Sequence, residues 1–180
     1  KIQKQIDEIE KNFEGDYKLV ANLPYYITSP LIFKFLEQTQ RCKSITVMVQ
    51  KEVAERFCAK AGDVNYGIPS VMINFYCNQQ ITRNVSRKMF YPMPNVDSAV
   101  IRLDRKQLDV DKNFVNKFSK VVNSSFAMRR KTLVNNLTKN LNISRDEVVK
   151  VLQKLNINEM ARAEELTLED YKNLTTELKF

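Results

Sequence analysis

The segment "NLPY" at residues 22–25 combines residue types that could hold an aromatic amine. Asn22 offers a side-chain carbonyl. Pro24 stiffens the turn and biases Leu23 toward an extended backbone, so that the Leu23 carbonyl can point outward. Two fixed acceptors match the two hydrogens of an exocyclic amine, and the Tyr25 ring can stack on a base. The alternative is an Asn-Pro turn that only connects a strand to a helix, with Tyr25 partly buried.

Such an amine is a poor nucleophile because its lone pair is conjugated with the ring. Acceptors that pull on its two hydrogens favour a pyramidal nitrogen with a free lone pair, a change that positioned dipoles can stabilise in the transition state. This chemistry fits a chain without histidine, in which a histidine base and a histidine-ligated metal are both excluded. The residues therefore predict a site at Asn22, Leu23, Pro24 and Tyr25 for group transfer to a base amine.

Charge and cysteine usage indicate the partner and the compartment. The chain of 180 residues has 29 Lys and Arg against 21 Asp and Glu, a formal charge of +8. This charge favours a polyanionic partner, although a basic surface without such a partner is the open alternative. Three cysteines lie far apart and in no metal-ligand spacing, which is typical of reduced cytoplasmic thiols. No apolar run reaches membrane-spanning length and no signal peptide is present, so we expect a cytoplasmic protein without membrane contact.

The elements that must position "NLPY" follow from apolar periodicity. "YKLVANL" and "SITVMV" predict buried strands. A helix follows each strand: the first has Ser29 as N-cap and Pro30 as its first helical residue, and the second is "KEVAERFCAKA". This alternation implies a parallel sheet covered by helices, whose ligands bind beyond the carboxyl ends of the strands, where "NLPY" lies. Tyr26 is expected to pack within the fold.

The rest of the chain divides into a sheet-forming and a helical part. "SVMINFYC" and "SAVIRL" predict two more strands, on either side of the irregular segment "RNVSRKMFYPMPNV". Beyond Asp104, apolar residues at three-and-four spacing and the capping boxes "SRDE" and "TLED" predict four helices. The predicted domains are residues 1–104, an α/β part, and residues 105–180, an all-helical part. A further helix is expected at the start from the spacing of Ile2, Ile6, Ile9 and Phe13.

"NLPYYITSP" resembles motif IV of the amino-methyltransferases that use S-adenosylmethionine, in the form found in the ribosomal RNA adenine dimethyltransferases of the KsgA type and in the related Erm resistance methylases. Four more blocks resemble the family's successive blocks in the family's order: "VQKEVAERFCAKAGDVNYGIPSV", "FYPMPNVDSAVIRL", "SSFAMRRKTLVNNL" and "RAEELTLEDYKNL". The last two favour the KsgA type. The resemblance implies an α/β fold, the C-terminal half of a Rossmann-like class I methyltransferase sheet, followed by a small all-helical domain that binds RNA.

The resemblance also implies roles for residues around the turn. Asn22 would lie beside both the methyl group of S-adenosylmethionine and the target amine. Tyr25 would stack on the target adenine, and Phe90 would close on the other face of the base. For Phe90 the open alternative is a core anchor that ties its loop to the sheet.

Two groups of basic residues are implied as RNA contacts. Arg129, Arg130 and Lys131, in "MRRK", are expected in the first turn of a helix, where positive charge opposes the helix dipole and so is not obviously placed for stability. The alternative is a solvated helix start. Arg87 and Lys88, with Arg83, could extend the same phosphate track.

One departure from the family concerns the cofactor. No glycine-rich turn follows a strand, since the only glycines are Gly15, Gly62 and Gly67. Because a side chain would block close approach of the cofactor at such a turn, we expect an N-terminally truncated chain that binds S-adenosylmethionine poorly and is inactive alone. A sheet without its first strands would expose an edge, so we expect strand pairing between copies or a rearranged α/β part.

The expected function is that of a small-subunit rRNA adenine dimethyltransferase, present here as a fragment. It would act on the small ribosomal subunit at adjacent adenines of an RNA hairpin, with each base splayed out of its stack. A catalytically inactive rRNA-binding or ribosome assembly factor on the same scaffold is the alternative. "NLPY" counts against it, because a pure binder needs no aligned acceptors beside an aromatic ring. A DNA adenine methyltransferase is disfavoured by the later sequence blocks.

Overall fold

The computed structural model describes residues 2–12 and 14–180, with side chains from residue 6 onward in those ranges. Ile6 is buried as expected, whereas Ile9 is 42% exposed, and the side chains expected at positions 2 and 13 lie outside the described residues. The chain folds as two compact units. The sheet unit contains the residues up to Cys58 together with Tyr76–Gln107, and the helical unit contains Ala59–Phe75 and Leu108–Phe180. Residues 59–75, which the predicted division assigns to the α/β part, cluster with the helical unit.

The described residues form four strands and eight helices. In chain order the elements are α1 (Ile2–Lys11), β1 (Tyr17–Asn22), α2 (Tyr25–Gln38), β2 (Cys42–Gln50), α3 (Lys51–Cys58), α4 (Ile68–Tyr76), β3 (Cys77–Val85), β4 (Ser98–Arg105), α5 (Lys112–Ser125), α6 (Leu133–Leu141), α7 (Arg145–Lys154) and α8 (Leu168–Glu177). Two short 3₁₀ turns lie at Arg87–Met89 and Ala163–Glu165. Helix α4 is shared between the units, because only its last residue belongs to the sheet unit.

The sheet has the strand order β1-β2-β4-β3. Its first two strands are parallel, as predicted, and both other pairs are antiparallel, so the sheet is mixed. The register sets Gln50 at the end of β2 opposite Ser98 at the start of β4. The carboxyl ends of β1 and β2 therefore lie at the same end of the sheet as the start of β4. β1 is an edge strand, and no other described strand pairs with its outer side.

The strand predicted at "SVMINFYC" is wrong, because these residues form most of helix α4. A short apolar run does not distinguish a buried strand from a buried helix, since every face is apolar in both. The actual strand, β3, starts directly after this helix and is mostly polar, with the sequence "CNQQITRNV". It also takes in Arg83–Val85, which the sequence pattern assigns to the irregular segment.

The predicted start of α2 at Ser29 and Pro30 is also wrong. The helix begins at Tyr25, directly after Pro24, whose φ of −54° suits a helix entry. The Pro24 carbonyl accepts hydrogen bonds from the Ile27 N–H at 3.1 Å and from the Thr28 hydroxyl at 3.0 Å, which closes the first turn. Pro30 lies inside the helix. The turn is therefore shorter than predicted, and Tyr25 is the first helical residue.

The C-terminal end of α2 is tied to the sheet by Arg105, the last residue of β4. Its guanidinium donates to the Phe35 carbonyl at 2.8 Å, the Leu36 carbonyl at 3.1 Å and the Cys42 carbonyl at 3.0 Å. The last carbonyls of a helix have no partner within it, and a cation there also complements the helix dipole. Arg105 thus fixes the helix whose first residue is Tyr25.

The helical unit confirms the helices predicted beyond residue 104. Side-chain oxygens of Asp111, Thr132, Ser144 and Thr167 accept from the backbone at the starts of α5 to α8. Segment 59–75 packs into this unit, where the Tyr66 hydroxyl donates to the Leu166 carbonyl at 2.8 Å. Burial raises the pKa of Tyr66 to about 12. No helix of the described residues is long and apolar enough to span a membrane.

Candidate active site

Asn22 ends β1 with its side chain exposed. Its amide makes no hydrogen bond to any described residue, so its carbonyl oxygen is available as an acceptor. The Leu23 carbonyl likewise receives no hydrogen bond in the described part of the chain, whereas the next carbonyl, that of Pro24, is used to close the first turn of α2. The structure therefore leaves two neighbouring acceptors without a donor at the carboxyl end of a strand.

Tyr25 is half-buried and fixed by its hydroxyl. Its phenolic oxygen lies 2.5 Å from the Ser98 hydroxyl oxygen, a hydrogen bond in which either group could donate. Ser98 is fully buried at the first position of β4. The ring is thus held at its far end by the sheet, and its residue follows Asn22 by three positions along the chain. Its neighbour Tyr26 is 82% exposed, so the expectation that Tyr26 packs within the fold is wrong.

Phe90 is half-buried and follows the 3₁₀ turn Arg87–Met89. Its loop is held by Asp97, whose carboxylate accepts from the Arg87 N–H at 2.8 Å and whose carbonyl accepts from the Lys51 N–H at 3.0 Å. Tyr91, the next residue, is fully exposed and precedes a cis peptide bond to Pro92. The loop thus offers an anchored ring and, beside it, a freely exposed one.

Two adjacent residues that the sequence reasoning missed hold both aromatic positions. Asp97 fixes the loop that carries Phe90, and Ser98 fixes Tyr25. Both belong to the block "FYPMPNVDSAVIRL", in which the sequence reasoning gave them no role. The available signal was an Asp-Ser pair at the start of a buried strand, where small polar side chains commonly bond to the backbone of a turn.

Arg129, Arg130 and Lys131 are exposed, and they lie in the loop between α5 and α6. Their predicted place in the first helical turn is wrong, because Thr132 is the N-cap and α6 begins at Leu133. None of the ion pairs among the described residues involves these three cations. We call residues 128–131 the basic loop.

The buried side chain of Asn136 anchors the basic loop through hydrogen bonds to backbone groups. It is 2% exposed; its amide nitrogen donates to the Ser125 carbonyl at 2.7 Å and the Met128 carbonyl at 3.1 Å, and its amide oxygen accepts from the Met128 N–H at 3.2 Å. The sequence reasoning missed this residue as well. The signal was a polar residue three positions after Leu133, on the otherwise apolar face of α6.

The second basic group lies in the sheet unit. Arg83 belongs to β3, and Arg87 and Lys88 lie in the following 3₁₀ turn; all three are exposed. The Arg87 guanidinium donates to the Asn95 carbonyl at 3.2 Å, so part of its hydrogen-bonding capacity already serves its own loop. A phosphate contact by these residues remains a prediction.

Among the described residues, the polar group that could face a cofactor lies at the end of β1. Asn22 presents a polar group at the strand end, but no glycine directly follows a described strand. Gly15 and Gly62 have φ values of +78° and +90° and occupy turns that precede β1 and follow α3. No group of three or more metal-ligating side chains occurs among the described residues.

The comparisons of this chain with known proteins agree on one family. A family model described as "Ribosomal RNA adenine dimethylase" matches residues 3–179. The chain is 44% identical to ribosomal RNA small subunit methyltransferase A of Clostridioides difficile (strain 630) and 45% identical to that of Clostridium botulinum (strain Loch Maree). These alignments cover 89% and 94% of this chain, but 56% and 64% of the relatives. The chain therefore spans about three-fifths of the length of the curated relatives that it matches.

Solved structures show the same fold. A dimethyladenosine transferase from Plasmodium falciparum superposes with a TM-score of 0.75 at 28% identity, covering 91% of this chain and 67% of that one. The 23S rRNA methyltransferase ErmE superposes with a TM-score of 0.70 at 20% identity, covering 98% and 78%. The likeness to ErmE concerns the fold alone. Together they show a Rossmann-like α/β fold with helices in the C-terminal part.

The Tyr25–Ser98 hydrogen bond predicts that the effects of substituting these two residues on stability are not additive. Ser98→Ala and Tyr25→Phe should each lower the free energy of unfolding by about 1 kcal/mol, because each leaves a polar partner unsatisfied. The double variant should be no less stable than the single variants, since all three variants lack the same bond. Denaturant unfolding measures all three. The control pairs Tyr25→Phe with Ser44→Ala, which changes another buried serine of the sheet; the stability losses of these two substitutions should add. If the losses of Tyr25→Phe and Ser98→Ala also add, the two hydroxyls do not stabilise the fold through a shared hydrogen bond.

The hydrogen bonds of Asn136 predict that this residue keeps the basic loop ordered. Asn136→Ala should cost about 1–3 kcal/mol and speed tryptic cleavage at Arg129, Arg130 and Lys131 several-fold, because the loop backbone loses its buried partners. Asn135→Ala, an exposed neighbour on the same helix, is the control and should leave cleavage unchanged. Equal cleavage rates in both variants would show that Asn136 does not hold the loop.

Proposed function

Because the chain belongs to the ribosomal RNA adenine dimethylase family, we propose that it carries the base-holding and RNA-binding parts of a small-subunit rRNA adenine dimethyltransferase. The reaction is methyl transfer to the exocyclic amine of adenine. The observation that carries the proposal is the pair of unengaged acceptors, the Asn22 amide oxygen and the Leu23 carbonyl, beside a ring whose position is fixed. This arrangement fits a planar base that bears two amine hydrogens.

The acceptors act on the amine nitrogen. In free adenine its lone pair is delocalised into the ring, so the nitrogen is planar and weakly nucleophilic. Hydrogen bonds from its two N–H groups to Asn22 and Leu23 favour the pyramidal form, in which the lone pair is free. These acceptors need no reorganisation during the reaction, since the strand end and Pro24 already fix the backbone.

The aromatic residues hold the base itself. Tyr25 would stack on one face of the adenine, an interaction worth about 1–3 kcal/mol. Phe90 would cover the other face from its Asp97-anchored loop. Because the target adenine must leave its stack to reach this site, the two rings replace the stacking that it loses.

When bound at this end of the sheet, S-adenosylmethionine would supply an electrophilic methyl group for the amine, which would lose a proton to solvent on transfer. The residues of this chain that would face it are those of the strand end, Asn22 above all. They orient the amine, and the described residues offer no strong base for the proton.

The basic loop would hold the RNA backbone. Its three cations are exposed and free of carboxylate partners in the described chain, so they can approach phosphates without breaking ion pairs. Arg87 and Lys88 would add contacts from the sheet unit. The partner would accordingly be small-subunit rRNA within the small ribosomal subunit, in the cytoplasm.

A second candidate function is rRNA binding in ribosome assembly without catalysis. One observation favours it: the exposed cations of the basic loop suit RNA binding whether or not a methyl group is transferred. The free acceptors at Asn22 and Leu23 favour methyl transfer instead. Self-association through the outer side of β1, beside which no described strand lies, is a further part of the proposal.

Asn22→Ala tests the base-holding site. In the full-length protein it should lower methyl transfer to an adenine-containing rRNA hairpin at least 100-fold, because only one of the two acceptors remains. Its RNA affinity should stay nearly unchanged. Asn84→Ala, a change at another exposed strand asparagine, is the matched control and should leave turnover intact. Retained turnover of the Asn22 variant would contradict the proposal.

Neutralising the basic loop tests the RNA interaction. Replacement of Arg129, Arg130 and Lys131 by Gln should weaken rRNA binding and reduce the slope of log K against log salt by about 2, because each cation that neutralises a single-strand phosphate adds roughly 0.7 to that slope. The control variant changes Lys150, Lys154 and Lys172 to Gln, which removes the same charge elsewhere on the unit. If both variants reduce the slope equally, the loop has no special role and only net charge matters.

A further inference from the structure

The helical unit contains a polar groove away from the basic loop. It has a volume of about 420 Å³ and lies between the second half of α5, the end of α6 and the C-terminal residue. We call it the C-terminal groove; it is lined by Ser119, Lys120, Asn123, Ser124, Asn140, Leu141 and Phe180. None of these lining residues carries a carboxylate side chain.

The groove presents cations and an exposed ring. Lys120 lines it, and the Lys117 ammonium lies 5.4 Å from the centre of the Phe180 ring. Neither lysine belongs to an ion pair among the described residues. Phe180 is 46% exposed, so part of its ring surface is accessible to a ligand. The groove is therefore suited to a ligand that is both anionic and flat.

Its two asparagines are oriented by their neighbours. The Asn123 amide nitrogen donates to the Ser119 carbonyl at 2.7 Å and to the Ser119 hydroxyl at 3.3 Å. The Asn140 amide nitrogen donates to the Asn136 carbonyl at 2.8 Å. Both nitrogens are thus engaged with the helices, while neither amide oxygen receives a hydrogen bond from a described residue. The groove offers two acceptors, as the "NLPY" turn does.

We propose that the C-terminal groove binds an unpaired nucleotide of RNA. The base lies against Phe180, its exocyclic amine donates to the Asn123 and Asn140 oxygens, and its phosphate contacts Lys120. Adenine and cytosine carry such an amine, whereas uracil presents carbonyl oxygens that the two acceptors repel. The inference rests on the RNA-binding part of the proposed function and is independent of methyl transfer.

The groove and the basic loop lie at opposite ends of α6. The helix has nine residues, so at 1.5 Å per residue they are separated by about 14 Å along its axis. This distance corresponds to about four stacked nucleotides at 3.4 Å each. A single strand that places a phosphate at Lys131 can therefore place a base in the groove a few nucleotides away.

Base preference is the direct test. Binding of fluorescent eight-nucleotide rA, rC and rU strands to this chain should favour rA and rC over rU. Asn123→Ala with Asn140→Ala should remove this preference by weakening rA and rC about tenfold and leaving rU unchanged, with an unchanged salt slope. The matched control is Asn116→Ala with Asn135→Ala, which changes exposed asparagines of the same two helices outside the groove and should keep the preference.

Two further variants separate the contributions. Phe180→Ala should weaken all three strands about tenfold, because stacking does not depend on base identity. Lys120→Gln should reduce the salt slope by about 0.7. An unchanged preference in the Asn123 and Asn140 variant, or an equal weakening of all three strands, would overturn the inference. Failure of the proposed RNA function is a separate result, namely an unchanged salt slope when the basic loop is neutralised.

Discussion

The hydrogen bond between the Tyr25 and Ser98 hydroxyls is the interaction on which the site depends. It joins the first residue of α2 to the first residue of β4, and Ser98 is fully buried. Breaking this bond is costly on the Ser98 side, because the buried serine hydroxyl would lose its partner away from water. The bond therefore fixes the ring at the end of the sheet where β1 also ends. With Tyr25 held by the sheet and Pro24 by the first turn of α2, Asn22 and Leu23 remain free to bind a ligand.

In the helical unit, too, one polar residue is engaged within the fold while its exposed neighbours are not. Asn136 is buried and makes hydrogen bonds to backbone groups of Ser125 and Met128. The three cations of the basic loop have no carboxylate partner among the described residues. In each place a buried polar side chain uses its hydrogen bonds within the fold, and the hydrogen-bonding groups of a neighbouring exposed residue stay available for a ligand. Mutation of the buried group would impair binding by displacing the exposed group rather than by removing it.

Much of this could be predicted from the sequence, and the failures have physical causes. β1, β2, β4 and the helices beyond residue 104 follow from apolar spacing and capping residues. Helix α4 was mistaken for a strand because its residues are apolar on all sides, and β3 was missed in part because an edge strand can be polar on both faces. The start of α2 was misplaced because Pro30 resembles a first helical residue. Ser98 and Asn136 bond to groups 73 and up to 11 positions away, so the sequence shows a polar residue at each position but not the partner that it binds.

The central claim is that Asn22 accepts a hydrogen from the amine of an adenine stacked on Tyr25. The most direct measurement is the NMR shift of the Asn22 side-chain amide during titration with an RNA hairpin that carries either adenosine or N6,N6-dimethyladenosine at its unpaired positions. The account predicts a shift with adenosine and a much smaller one with the dimethylated base, which has no amine hydrogens to donate. Equal shifts with both hairpins, or no shift at Asn22 when the Tyr25 ring signals move, would contradict it.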